Sequence, residues 1–284
     1  MKKDMVLFKY VSEERISILR DGLIRFSQPQ AFNDPFELKP HVVEIMDREN
    51  VESMITELFP ELIREEYDKQ PQQFRSAIPW AVYSAFAESK REELIGNVSS
   101  FSGHAAEMLE KSIHEGLEKS IGILSITESY CNLLMWAHYA NSHQGFVVEL
   151  DCSNGFFNRQ KSEDDELRHL RKVSYSEVRP NIQLNQLSGL DVFLMKSKEW
   201  EYEQEWRMLL PLEISDRKIH ATPYDIHLFK LPFEVIKSVI VGARAEQRTL
   251  EAIQSEIDSN RDLQHVKVYQ MSIHPKRFEL VMHE

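Results

Sequence analysis

The residues of this chain best suited to chemistry are gathered in one run, Trp200-Glu201-Tyr202-Glu203-Gln204-Glu205-Trp206-Arg207. Residues two apart on a strand share a face. A strand here would therefore set Glu201, Glu203, Glu205 and Arg207 on one side, with Tyr202 and Trp206 on the other. Three carboxylates on one face repel, which raises at least one pKa, and Arg207 supplies a bidentate partner that relieves the repulsion. Such a set suits general-base work or the gripping of ribose hydroxyls. The same residues also fit an edge strand with a solvated charged face, clamped by a Glu–Arg pair and anchored by aromatics.

Two further constellations stand out. In Trp136-Ala137-His138-Tyr139 with His143, the two histidines lie five apart, a spacing that does not superpose their rings on a helix and so makes no HExxH zinc pair. His138 then reads either as a satisfied core or interface residue or as a polar contact for a ligand. A Cys131–His138 nucleophilic pair lacks any flanking charge that would favour the thiolate. Phe32-Asn33-Asp34-Pro35-Phe36-Glu37 reads equally as a self-satisfying turn and as a loop that projects Asn33 and Asp34 into a cleft. Asp34, Glu37, Glu203 and Glu205 are oxygen ligands that a Mg²⁺-dependent nuclease or hydrolase could use, although they match no metal-site spacing. No GxGxxG or GxxxxGK[ST] motif occurs among only nine glycines, which excludes a Rossmann or P-loop mode of nucleotide binding.

The elements that must position these residues intermix. Val6–Tyr10 reads as a strand, followed by a helix capped by Ser12 and closed by Gly22, and then by a strand Leu23–Ser27. Residues 44 to 120 are acidic, Gly-poor and helical in pattern, with Val51, Met54, Ile55, Leu58, Phe59, Leu62 and Ile63 on one stripe that Pro60 interrupts. Three helices are expected there, as an insertion serving either as a lid or partner surface or as a layer over a sheet face. Strands then follow at Ile123–Ile126, Phe146–Asp151, Val173–Tyr175, Glu203–Leu212, Val235–Val241, Val266–Ile273 and Phe278–Met282. Helices are expected at Leu133–Ala140, 189–198 and Ala245–Ile257. Without strict βαβ alternation, the class is α+β. We expect mixed, mainly antiparallel sheets forming a split sandwich, in a single domain 1–284 with the helical insertion at about 44–120.

Composition sets outer bounds. The net charge of −12 repels phosphate backbones and argues against duplex DNA as a partner. Two cysteines without metal or disulfide spacing, no apolar leader and no long apolar run point to a reducing, cytoplasmic setting and to no membrane partner.

Four motifs in order carry a resemblance over nearly the whole chain. They are Leu7-Phe8-Lys9-Tyr10, Asn33-Asp34-Pro35-Phe36-Glu37, Met135-Trp136-Ala137-His138-Tyr139 with Gly145, and the run at 200–207. Together they resemble the bacterial family known as domain of unknown function 2971. More loosely, the chain resembles the ADP-ribosyltransferase-like superfamily. That resemblance implies an NAD-consuming transferase or glycohydrolase, set as a bacterial toxin or phage-defence effector, acting on a small-molecule nucleotide with a protein or RNA acceptor. It places Glu203 and Glu205 as the late-strand catalytic acids. It assigns NAD contacts to Lys9, Tyr10, Ser27, Asn33, Asp34, His138, Tyr139 and Arg207, with Tyr139 or Trp136 as the stacking platform. A non-catalytic binding module and the metal-dependent hydrolase are the other classes open to this sequence.

Overall fold

The computed structural model describes residues 5–38, 41–42, 48–165, 167–178, 181–182 and 191–283. The chain divides into two compact units. One comprises Met1–Lys39, Gly116–Val178 and Leu190–Glu284, and the other Pro40–Glu115 and Arg179–Gly189.

The first unit opens with β1 (Val6–Val11), a 3-10 turn Glu13–Ile16, α1 (Ser17–Asp21) and β2 (Leu23–Phe26). Gly22 sits at the end of α1 with φ of 61°, the left-handed value that a helix C-cap requires and a side chain resists. The second unit holds β3 (His41–Val42) and helices α2 (Arg48–Asp68), α3 (Gln72–Ala77), α4 (Trp80–Ser89) and α5 (Arg91–Ser120), the last running on into the first unit. There follow β4 (Ile121–Thr127), α6 (Leu133–Tyr139), β5 (Phe146–Asp151), β6 (Arg171–Lys172), β7 (Ser174–Ser176) and β8 (Asn181–Ile182). After α7 (Asp191–Leu194) and β9 (Met195–Ser197) comes β10 (Glu205–Pro211). The chain ends with β11 (Arg217–Ile219), β12 (Ile226–Lys230), β13 (Ile236–Val241), α8 (Gln247–Ser259), β14 (Lys267–Ile273) and β15 (Leu280–His283).

Among the described residues, the main sheet has eight strands in the order β15-β14-β13-β5-β1-β4-β10-β6, and β11-β12-β2 form a smaller sheet. Within these two sheets pairing is antiparallel except between β13 and β14, which α8 connects, while the two-stranded pairs β3–β8 and β7–β9 are parallel. The class is α+β, with mixed and mostly antiparallel sheets. The core explains why both sheets form. Leu7, Leu124, Ile126, Val148 and Met208 from the large sheet pack in one cluster with Ile24, Phe26 and Phe229 from the small one. Alternation along each strand turns these apolar residues to one face.

The middle of the large sheet is where the site is made. β1 pairs with β5 at six positions and β4 with β10 at seven, but β1 and β4 meet only at Phe8 opposite Thr127. The two strands therefore part beyond that point. The Lys9 ammonium reaches across the opening and donates to the Ser125 carbonyl at 2.7 Å, taking the acceptor that a ladder N–H would otherwise use.

Three expectations need correction. The helical region contains four helices, and α2 continues through Pro60, because Val51, Ile55 and Phe59 before the ring and Ile63 after it keep one apolar face that packs with Ile95. Of the expected stripe, Met54, Leu58 and Leu62 are exposed. The helix expected at 189–198 is one turn, α7, and then turns into β9, whose pairing with β7 overrides local preference. Its first residues, and 44–47, lie outside the described residues. Most consequentially, the run at 200–207 is not one strand. Lys198–Glu203 is a 3-10 helix, Gln204 has φ of 46°, and the strand begins only at Glu205.

Candidate active site

A cleft of about 230 Å³ opens in the first unit where β1 and β4 part. Its walls include Phe8, Lys9 and Tyr10 of β1 and Ser125, Ile126 and Thr127 of β4. Ser27, Phe32, Asn33 and Glu37 come from the segment after β2, Met135 and Tyr139 from α6, Lys196 from β9, and Glu203 and Glu205 complete the lining. Each wall is fixed locally. Asn132 caps α6 by accepting from the Leu134 and Met135 amides at 2.9 and 3.1 Å, and Trp136 Nε1 donates to the Tyr130 carbonyl at 2.8 Å. This orientation carries Tyr139 to the cleft, where its hydroxyl donates to Glu203 Oε1 at 2.5 Å. Gly145, just beyond α6, allows no side chain, because a Cβ there would stand 2.1 Å from the Val11 carbonyl.

The left-handed Gln204 sets the two catalytic candidates. A residue other than glycine in this conformation is held by its surroundings. Here the Thr127 hydroxyl donates to the Glu203 carbonyl, and the Glu205 amide donates to the Tyr175 hydroxyl at 2.8 Å. The turn brings both carboxylates into one buried network, each residue 3% exposed. Lys196 Nζ lies 2.6 Å from Glu203 Oε2, 3.2 Å from Glu205 Oε2 and 3.5 Å from Glu37 Oε2. Arg207, fully buried, grips Glu205 through Nε and Nη2 at 2.8 and 2.9 Å, donates to Glu37 through Nη2, and gives Nη1 to the Phe193 carbonyl at 2.6 Å. Phe32 lies over the guanidinium at 5.5 Å and Trp200 over the ammonium at 5.0 Å.

Three carboxylates thus share two cations. The excess negative charge and the burial shift the proton affinities of the groups around them. Burial, with Glu203 beside it, pushes the Glu205 carboxyl up against the pull of Lys196. Burial acts on Lys196 in the opposite sense, but Glu205 and Glu203 outweigh it and hold the ammonium above its ordinary range. Burial and the Glu203 charge also keep Tyr139 a proton donor far above its usual pKa. Lys9 is pulled down to about 8, first by burial and further by Arg25 and Arg15, while Glu205 and Glu203 pull it back.

The expected site residues sort cleanly by position. Lys9, Tyr10, Ser27, Asn33, Tyr139, Glu203 and Glu205 all line the cleft. Asp34 does not. It is buried, and its carboxylate accepts from the Phe36 amide at 2.9 Å, closing the turn that presents Asn33. His138 is exposed on the outer side of α6, with its Nδ1 3.2 Å from the Tyr202 hydroxyl. Trp136 is buried edge-on against Tyr10 and offers no stacking face to the cleft. Arg207 lies beneath the floor as the anchor of Glu205 and Glu37. The solvated edge-strand reading is overturned, since β10 lies between β4 and β6 and its charges are buried. Glu201, expected on the same face, is exposed on the 3-10 helix.

Lys196 was missed, because a helix drawn through 189–198 gives it no partner. Its one local signal is a lysine seven residues before Glu203, and only the tertiary path joins them. Among the described residues, no group of three or more His, Cys, Asp or Glu side chains is placed to hold a metal ion. Lys196 in the cleft and Arg207 beneath its floor stand between the carboxylates. Among the described residues, no helix is long and apolar enough to cross a membrane.

Residues 135–208 match the model of a family described as protein of unknown function, DUF2971. The matched stretch carries Tyr139, Lys196, Glu203, Glu205 and Arg207, the acidic side of the cleft and its anchor. No curated protein and no solved structure matches the chain.

Proposed function

We propose that the cleft binds a pyridine nucleotide and breaks its nicotinamide–ribose bond, as an NAD-consuming ADP-ribosyltransferase-like enzyme or glycohydrolase. The observation that carries this reading is the convergence of Glu203, Tyr139 and Lys9 in one partly enclosed cleft walled by Phe8, Tyr10 and Phe32.

The two glutamates divide the work. Glu205 accepts three charge-assisted bonds, two from Arg207 and one from Lys196, and acts as a positioning residue. Glu203 accepts one such bond from Lys196 and one from a tyrosine hydroxyl, which leaves acceptor capacity for a ribose hydroxyl. In the reaction, the C1′–N bond breaks and its electron pair leaves with the nicotinamide nitrogen. The ribose becomes oxocarbenium-like, and the Glu203 carboxylate stabilises that charge in a site where water is scarce. Water, or a nucleophile of a protein or RNA acceptor, then adds at C1′. Its proton passes to Glu203 and on to solvent. The aromatic walls offer the nicotinamide ring its stacking surface.

The test is nicotinamide release from NAD by the purified full chain, alone and with cell extract or RNA. Release that is abolished in Glu203→Gln, with the melting temperature preserved, is expected. No release and no label transfer under any of these conditions would leave the cleft as a binding module.

A further inference from the structure

We infer that the pocket beside the cleft is a built anion subsite for a phosphate or diphosphate group, held by Lys9, Arg15 and Arg25. This rests on the reading above in one respect only: there, the group belongs to the nucleotide.

The pocket has about 210 Å³ and shares Lys9, Tyr10, Ser27 and Tyr139 with the walls of the cleft. That is far more room than a single water needs. The strand–turn–strand at the N-terminus builds it. β1 supplies Lys9, the 3-10 turn Arg15 and β2 Arg25, and Ser12 and Ser17 also line it. Among the described residues, no Asp or Glu lines it.

The cations there are unspent. Three other arginines of this unit find acids: Arg20 donates to Glu256 at 2.7 Å, Arg168 to Asp165 at 2.9 Å and Arg217 to Asp21 at 3.0 Å. Among the described residues, the Arg15 and Arg25 side chains form no hydrogen bond or ion pair, and Arg25 Nε is buried without a partner. Lys9 has only the Ser125 carbonyl. Their mutual repulsion is felt, since Arg15 lowers the proton affinity of Arg25 after burial does, and both lower that of Lys9. Three crowded cations with open donors cost free energy in the empty protein and return it when an anion enters. Guanidinium forks match phosphate oxygens two at a time, and the serine hydroxyls can complete the set.

The experiment is calorimetric titration of the full chain with sodium pyrophosphate at low salt, on wild type, Arg15→Gln, Arg25→Gln and Arg25→Lys. Wild type should bind, each Gln variant about tenfold or more weakly, and Arg25→Lys in between. The unliganded melting temperature of Arg25→Gln should not fall, because a repulsion has been removed. Absence of pyrophosphate binding by wild type, or wild-type affinity in both Gln variants, overturns the subsite. Pyrophosphate binding without any affinity for NAD supports the subsite, names free phosphate as its ligand, and refutes the nucleotide reading of the cleft.

Discussion

The two cavities share four wall residues and differ in how their charges are settled. In the cleft, Glu37, Glu203 and Glu205 are tied to Lys196 and Arg207 in a closed network whose members are all buried. In the neighbouring pocket, Lys9, Arg15 and Arg25 stand together without an acid in the lining. A buried ion network is expensive to break and holds its groups in place. An unbalanced cluster contributes little to folding and keeps its donors available. On the function proposed above, the contrast separates a site that positions catalytic carboxylates from one that waits for an opposite charge.

Removing Glu203 should have the largest effect. Glu203→Gln is expected to lower the rate of nicotinamide release by about 10²–10³-fold, the scale of losing one preorganised electrostatic contact to the transition state. Initial rates at saturating NAD check it. Next is the network itself. Lys196→Met or Arg207→Met leaves a buried carboxylate uncompensated and should cost about 3–5 kcal/mol, read from urea unfolding. Arg25→Gln, on the other side of the contrast, should leave that unfolding free energy within about 0.5 kcal/mol of wild type or raise it.

The pH dependence sharpens the same difference. Lys9 titrates near 8 when folded and near its ordinary 10.5 when unfolded, so the unfolded chain holds the extra proton between those values. This depressed lysine therefore makes the protein gain stability as pH rises from 8 toward 10. Paired unfolding curves of wild type and Lys9→Met at pH 7.5 and 9.5 should show the gain in wild type and its absence in the variant. The smallest effect belongs to the turn between the glutamates. Gln204→Gly should change stability by less than about 1 kcal/mol, whereas β-branched Gln204→Val should cost more than that, because only glycine adopts φ near 46° freely.

Much of this arrangement is legible in the residues alone. β1, β4, β5 and β13 are short apolar runs between turn residues. Asn33, Tyr139, Glu203 and Glu205 can be named because they stand in recognisable aromatic and acidic motifs, while Lys9 and Ser27 are named through the resemblance to the ADP-ribosyltransferase-like superfamily. What resists reading is whatever depends on distant segments meeting. Lys196 pairs with Glu203 and Glu205 only because β9 docks on β7, an event that local pattern does not encode. Glu203 and Glu205 look like neighbours on a strand face, yet the 3-10 helix and the left-handed Gln204 are what aim them. His138 shares a helix with Tyr139, but one position turns it about 100 degrees away, to the outer side. Arg15 and Arg25 stand ten residues apart with nothing in their spacing to announce a shared pocket. They meet Lys9 because Gly22 folds the N-terminal strand, turn and strand back on themselves.

The central claim is that the balanced cleft and the unbalanced pocket hold two parts of one nucleotide. Its most direct test is equilibrium binding in the Glu203→Gln background, with and without Arg25→Gln, of NAD and of nicotinamide riboside, which lacks phosphate. The account predicts that Arg25→Gln lowers the ratio of NAD to riboside affinity by about tenfold or more. An unchanged ratio would contradict it.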